Sequence, residues 1–413
     1  MSNMNILTET NKLFSSAISK LGLAYDIAEV LKSPYREIKV EIPVKDSEGN
    51  FYLYSGYRIQ HNGSRGPYYG GISLDKDLNL EKLISHANRT VCKTALVNIP
   101  FGGAYGGIKV DVNNASSGLL EGAVRNYIHK ISSLIGPYKD IITQGKNAND
   151  IIMACVMDEY SKKFGYSPAV ATGKPEALGG TKGRRTALVN TAYYLLDLAS
   201  KSIQTQLPDM SVAISIDLSQ AGYFIEYLNY LNCSLIALSD SSVCIYNPEG
   251  FDLEDLKSYI VQNKSLSGYP YGESIPVKDV TCLDVDVLLL GLSETYIDSS
   301  NASKVKAKIV LELDDMLIEP DSEEILFSSG VVVIPDLLVT SGEAIVDYFE
   351  WIQNIQQFKW SSEQINDEMA KYLNEAFKEI TDLTREHQVS YRLACYMSGI
   401  SRVAEATKLR GYI

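Results

Sequence analysis

The sequence predicts an α/β protein of two domains, and three observations carry that expectation. From Arg185 onward, short β-branched runs alternate with helical segments, the pattern of a parallel sheet with crossover helices. This block reads as a Rossmann-like, doubly wound domain. Ahead of it, strand-like alternation mixes with amphipathic helical spacing, as in a separate α/β domain. Behind it, a polar-apolar tract from Ser361 to Leu409 is helical and is expected to complete the first domain. A chain of 413 residues with 45% hydrophobic composition is long enough for two cores.

In chain order, REIKVEIPVKD from Arg36 and NFYLYSGYRIQHN from Asn50 alternate polar with apolar or aromatic residues and read as neighbouring strands. LEKLISHANRTVCKTALV from Leu80 places Leu83, Ala87, Val91 and Ala95 on one face of a helix. IPFGGAYGGIKVD, Ile99 to Asp111, follows as an expected loop. Its glycine pairs at 102–103 and 106–107 require either positive φ or a close approach to another backbone or a ligand. In the second block, TALVNTAYYLLDLAS reads as a helix, MSVAISID as a strand, AGYFIEYLNYLN as a helix and CSLIALSD as a strand. VDVLLLGL, KAKIVLEL and GVVVIPD then supply further strands. Ser361 with Gln364 three residues on forms a capping box at the head of the helical tract. The pattern changes place the first domain at 1–185 plus 345–413 and the second at 186–344.

A formal charge of −13, without a Lys/Arg cluster, argues against nucleic acid as a partner. The six cysteines are scattered without CxxC spacing and read as reduced thiols of a cytoplasmic protein. The longest apolar runs are too short to span a bilayer, so no membrane association is expected. No His, Cys and carboxylate cluster has the spacing of a metal site.

Four stretches in order, GYRIQHNGSRGPYYGGI, CKTALVNIPFGGAYGGIKVD, ATGKPEALGGTKGRRTA and IPDLLVTSGEAIVDYFEWIQN, resemble the glutamate/leucine/phenylalanine/valine dehydrogenase family. The resemblance implies a substrate domain first, a Rossmann domain second, C-terminal helices returning to the first, and hydride transfer to NAD or NADP. It also implies departures. The catalytic lysine of the family's GGxKGG motif corresponds to Tyr105, and its acid/base aspartate to Gly145. A phenol with an ordinary pKa near 10 does not replace a lysine whose pKa is lowered, and glycine transfers no proton. The lysine of PxKGGxR corresponds to Tyr69 and the arginine after it to Ser73. Of three pocket lysines, Lys93 remains. Where the family has GFGNVG, this chain reads DLSQAG, with Ile216, Leu218 and Ala221 at the glycine positions and Asp217 adding negative charge. The family's NAGGV corresponds to TSGEA, with Thr340 for asparagine and Glu343 for glycine, and its following serine corresponds to Asp347.

Several positions keep two readings. Asp240 is either a ribose-binding carboxylate or an acid closing a strand. Lys93 either anchors a carboxylate or is a partly buried lysine bonded to backbone. Tyr69 and Tyr105 either fill the lysines' volume or line a remodelled pocket, for which Tyr69, Lys93, Tyr105, Thr340 and Asp347 are the ligand-binding candidates. His61 reads as a satisfied polar residue. Gly179, Gly180 and Gly183 serve backbone geometry. Taken together, the expectation is a catalytically inactive family member with no cofactor. It acts as a regulatory or structural subunit in a homo-oligomer or with an active paralogue. The rivals are a divergent enzyme using Tyr105 and Lys93, and an amino-acid or 2-oxo-acid sensor.

Overall fold

A computed structural model describes residues 6–412. The chain divides into two compact units, residues 1–185, 343–372 and 395–413 in one and 186–342 and 373–394 in the other. This division differs from the expected one at residues 343–344, which group with the first unit, and at 373–394. Residues 373–394 group with the second unit, where the buried Arg392 is paired with Glu312, Glu323 and Asp336.

The first unit opens with helices α1 (Ile6–Lys20) and α2 (Tyr25–Lys32) and strands β1 (Arg36–Lys45), β2 (Phe51–Asn62) and β3 (Tyr68–Leu74). Helix α3 (Leu80–Leu96), strand β4 (Gly103–Ile108), helix α4 (Ser117–Ile131), strand β5 (Asp140–Gln144) and helix α5 (Asp150–Phe164) follow. The sheet order is β1-β2-β4-β3-β5. The two alternating segments do pair, antiparallel, from Arg36 opposite Gln60 to Lys45 opposite Phe51. Ile42, Ile72, Ile108, Val124, Tyr127, Ile142 and Met153 build the core between the sheet and α4 and α5.

The glycine stretch is a strand, not the expected loop. β4 lies inside the sheet, antiparallel to β2 and parallel to β3. None of the four glycines at 102, 103, 106 and 107 takes a positive φ. Close approach is what requires them: a Cβ on Gly106 would stand 2.5 Å from the Tyr57 carbonyl oxygen, and one on Gly103 2.7 Å from that of Ala87 in α3. Glycine here lets a helix and two strands press on one backbone.

The second unit runs α6 (Ala187–Ser202), β6 (Ser211–Ser215), α7 (Leu218–Leu231), β7 (Ser234–Ser239), β8 (Cys244–Tyr246), α8 (Leu253–Asn263), β9 (Glu273–Ile275), β10 (Val287–Leu290) and β11 (Ile309–Glu312). It closes with α9 (Pro320–Ser328), β12 (Val332–Ile334) and α10 (Asp336–Val339). The sheet order is β12-β11-β10-β6-β7-β8-β9. The first five strands are parallel and the last two antiparallel, so the doubly wound expectation holds with an added edge. β10 is apolar throughout, β6 and β11 are apolar apart from Ser211, Ser215 and Glu312, and all of these residues but Ser211 are buried, as in a parallel sheet covered on both faces.

The helical tract divides into α11 (Ser341–Gln356), α12 (Ser362–His387) and α13 (Tyr391–Leu409). The break before α13 falls at Gln388, in the left-handed region at φ 50°. At the head of α12 the capping box is reciprocal. Gln364 N donates to Ser361 Oγ at 3.2 Å, and Ser361 N to Gln364 Oε1 at 2.9 Å. Among the described residues, no helix is long and apolar enough to cross a membrane.

Candidate functional site

Tyr105 and Gly145 come from different strands and meet at one point of the first unit. Tyr105 sits mid-β4, and Gly145 follows the last residue of β5. A Cβ placed on Gly145 would stand 2.8 Å from the Tyr105 hydroxyl and 2.7 Å from the Ile72 carbonyl oxygen. The hydroxyl shares a 3.1 Å hydrogen bond with Ser73 Oγ, which also accepts from Lys146 N at 3.2 Å. The phenol ring stacks on His86, with centroids 4.7 Å apart. The phenol therefore occupies the space beside position 145, and backbone closes the rest.

A second cluster forms where α11 packs on the sheet. Asp347 is fully buried; its Oδ2 accepts from Tyr69 hydroxyl at 2.7 Å and Thr143 Oγ1 at 2.6 Å. Its Oδ1 accepts from Arg184 Nε at 2.9 Å, while Arg184 NH1 reaches Glu343 at 2.7 Å. Burial, reinforced by Asp347, holds the Tyr69 phenol well above its ordinary pKa, so it remains a neutral donor. Burial works against the Arg184 cation, but Asp347 and Glu343 outweigh it and raise its pKa. Tyr69 also stacks on Phe101 at 5.1 Å. The residue that completes this cluster, Arg184, was not among the sequence candidates. The signal for it was Asp347 itself, since a buried acid on a helix demands a cation.

Lys93 is half-buried on α3 and, like Tyr105, engaged by neighbours. Thr340 belongs to the second unit, where its hydroxyl donates to the Asp336 carbonyl at 2.7 Å. The structure thus joins Tyr69 to Asp347 and Tyr105 to Gly145. The stretches around TGKP and LGG wrap one carboxylate: buried Glu350 accepts from Lys174 Nζ at 2.6 Å, Gly173 N at 3.1 Å and Thr181 N at 3.2 Å. Gly179 and Gly183 take φ of 89° and 87°, which glycine alone adopts without strain. His61 is buried beside Asn88, 3.3 Å away, and burial lowers its pKa to about 4.

In the second unit the strand order reverses between β6 and β10, the place where open α/β sheets bind ligands. Beyond β6, Ile216 is buried and Asp217 caps α7, accepting from Ser219 N at 2.8 Å. A carboxylate thus holds the helix N-terminus where a pyrophosphate would approach, with Leu218 and the buried Ala221 behind it. Asp240 is drawn into its own loop, accepting from Ser242 N at 2.7 Å, Val243 N at 2.9 Å and Leu266 N at 3.3 Å. Burial pushes its pKa up, but the Ser242 hydroxyl, donating at 2.6 Å, and these amides prevail and hold it below the usual value. This turn thus carries side chains and a carboxylate where a dinucleotide-binding turn carries glycines. Among the described residues, no group of three or more His, Cys, Asp or Glu is arranged to hold a metal.

Residues 179–411 match the sequence model of the Glutamate/Leucine/Phenylalanine/Valine dehydrogenase family, and residues 34–162 that of its dimerisation domain. The chain is 38% identical to a glutamate dehydrogenase of Thermotoga maritima over 401 residues, 96% of each chain. It is 34% identical to an NAD-specific glutamate dehydrogenase of Staphylococcus aureus, covering 99% of both. Among solved structures, the leucine-bound hetero-hexameric glutamate dehydrogenase of Thermus thermophilus superposes with a TM-score of 0.91 at 30% identity, over 100% of this chain and 98% of that one. The NAD-specific relative overturns the expectation of no cofactor: it matches this chain over 99% of both, and the changed turn after β6 does not outweigh that likeness. On these matches and this fold, the chain belongs to the glutamate/leucine/phenylalanine/valine dehydrogenase family.

Proposed function

We propose that this chain is a non-catalytic member of the family, acting as a regulatory or structural subunit of a glutamate-dehydrogenase-type oligomer. One observation carries the reading: at the two positions where the family places an amine and a carboxylate, Tyr105 and Gly145 face each other, and a side chain on 145 would strike both the phenol and the Ile72 carbonyl. Glycine carries no proton to transfer, and the ordinary pKa of a phenol, about 10, is far from neutrality. The Arg184 pairing supports the same reading, because it satisfies Asp347 with the chain's own guanidinium.

The dimerisation-domain match and the hetero-hexameric Thermus relative favour assembly with a catalytically intact family member. Interface burial requires the domain and not the lysine, so the fold persists while the catalytic positions change. Co-expression with a family member that keeps the lysine tests this by native mass spectrometry. Mixed oligomers whose rate per lysine-bearing subunit differs from the homo-oligomer's are expected. Segregated homo-oligomers with unaltered kinetics would refute it. A second reading, amino-acid binding, is favoured by the leucine-bound form of the same relative. Calorimetric titration of the chain with leucine tests it, saturable binding being the expected result and a flat isotherm the contrary one.

A further inference from the structure

The first unit holds a cleft of about 970 Å³ at the opposite end of β5 from Gly145. Five residues of extended strand separate the two places by roughly 16 Å. The cleft is framed by the end of β2 and the starts of β1, β3 and β5. Its edges are fixed by backbone hydrogen bonds from Tyr35 N to His61 O at 2.9 Å and from Tyr68 N to Lys139 O at 2.8 Å.

Its lining has an unusual composition for this chain. Arg36, Lys139 and Arg410 contribute cations, and no Asp or Glu is among the described lining residues, in a protein whose formal charge is −13. Tyrosine rings supply the apolar surface. Tyr35 and Tyr68 stack with centroids 6.4 Å apart and planes 23° from parallel, and the Arg36 guanidinium lies 5.4 Å from the Tyr35 centroid. Tyr35 and Tyr412 remain 69% and 57% exposed, so their rings are accessible to a ligand.

We propose that this cleft binds a small ligand in which a planar ring carries a phosphate, the ring lying on the tyrosines and the phosphate on Arg36, Lys139 and Arg410. Asp140, which accepts from the lining Gln60, is already paired with Arg58, so the three lining cations suit a dianion better than a single carboxylate, and guanidinium forks match phosphate oxygens in pairs. Exposed tyrosine rings suit a flat ring. The volume lies in the range of small-molecule sites. The same chemistry is found in a nucleoside monophosphate and in a simpler aromatic phosphate, and the probes separate them.

The test is calorimetric titration of the full chain with AMP and with phenyl phosphate, against adenosine and inorganic phosphate. At least one ring phosphate is expected to bind at least tenfold more tightly than either control; AMP alone would identify a nucleotide site, and phenyl phosphate a general aromatic-phosphate site. The Arg36→Gln/Arg410→Gln double variant changes exposed side chains only and is expected to lose at least tenfold in affinity with an unchanged thermal midpoint. Tyr35→Ala is expected to weaken ring phosphates and leave inorganic phosphate unaffected. Binding undiminished in the double variant would place the ligand elsewhere and overturn the proposal. Inorganic phosphate binding as tightly as the ring phosphates, or no binding of either at millimolar concentration, would do so too.

Discussion

At the scale of single residues, Asp347 and His61 show how burial dictates chemistry. Asp347 has no exposed surface, and its charge is sustained by Arg184, Tyr69 and Thr143. Removing one partner of a buried pair leaves the other uncompensated, which costs about 3–5 kcal/mol. Arg184→Ala is therefore expected to lower the urea midpoint sharply, with Asp347→Asn less harmful because the amide can still accept. His61 carries a pH dependence. Its native pKa of about 4 lies below the ordinary 6.5, so the unfolded chain binds the proton first and stability falls as pH drops from 6.5 towards 4. The loss attributable to it is on the order of 3 kcal/mol, and His61→Asn is expected to flatten that part of the stability profile in denaturant titrations from pH 7 to 4. The sequence made Tyr105 and Gly145 legible because motif positions identify them. It did not reveal Arg184 as the partner of Asp347, since 163 residues separate them and only the packed sheet and α11 bring them together.

At the scale of elements, local pattern was a good guide where period and cap agree. The Leu80 segment became α3, and the Ser361–Gln364 box formed reciprocally at the head of α12. Ser361→Ala is expected to cost about 1 kcal/mol, read as a shift in thermal midpoint, and Ser361→Asn almost nothing. The glycine stretch was harder, because glycine signals both a turn and a crowded strand, and only the neighbours of β4 decide between them. The same crowding bears on restoring chemistry. In Tyr105→Lys/Gly145→Asp the phenol clash disappears, but the new Cβ still meets the Ile72 carbonyl, which belongs to the backbone and cannot rotate away. The double variant is expected to be less stable than the parent and to show no amino-acid dehydrogenase turnover; measurable turnover would mean that β5 and β3 can part at that point. The short antiparallel strands β8 and β9, of three residues each, left no pattern long enough to read.

For the whole molecule, the two-unit α/β plan was legible from the alternation after Arg185, whereas the exact course of the last helices was not. A single periodic tract became α12 and α13, with Arg392 at the start of α13 held among Glu312, Glu323 and Asp336 of the second unit. Those acids come from a strand and two helices, and nothing in the local pattern of α13 announces their convergence. The cofactor expectation failed for a related reason. It was argued from one turn, while likeness to an NAD-specific relative extends over 99% of both chains. The inactivity reading stands on a different place, the pairing of Tyr105 with Gly145. Its most direct test is the steady-state rate of NAD(P)H-dependent glutamate formation from 2-oxoglutarate and ammonia by the purified chain alone, alongside its Tyr105→Phe variant. The expected result is no turnover above the uncatalysed background in either protein. Turnover in the parent that disappears in Tyr105→Phe would contradict the account, because it would make the phenol a catalytic group.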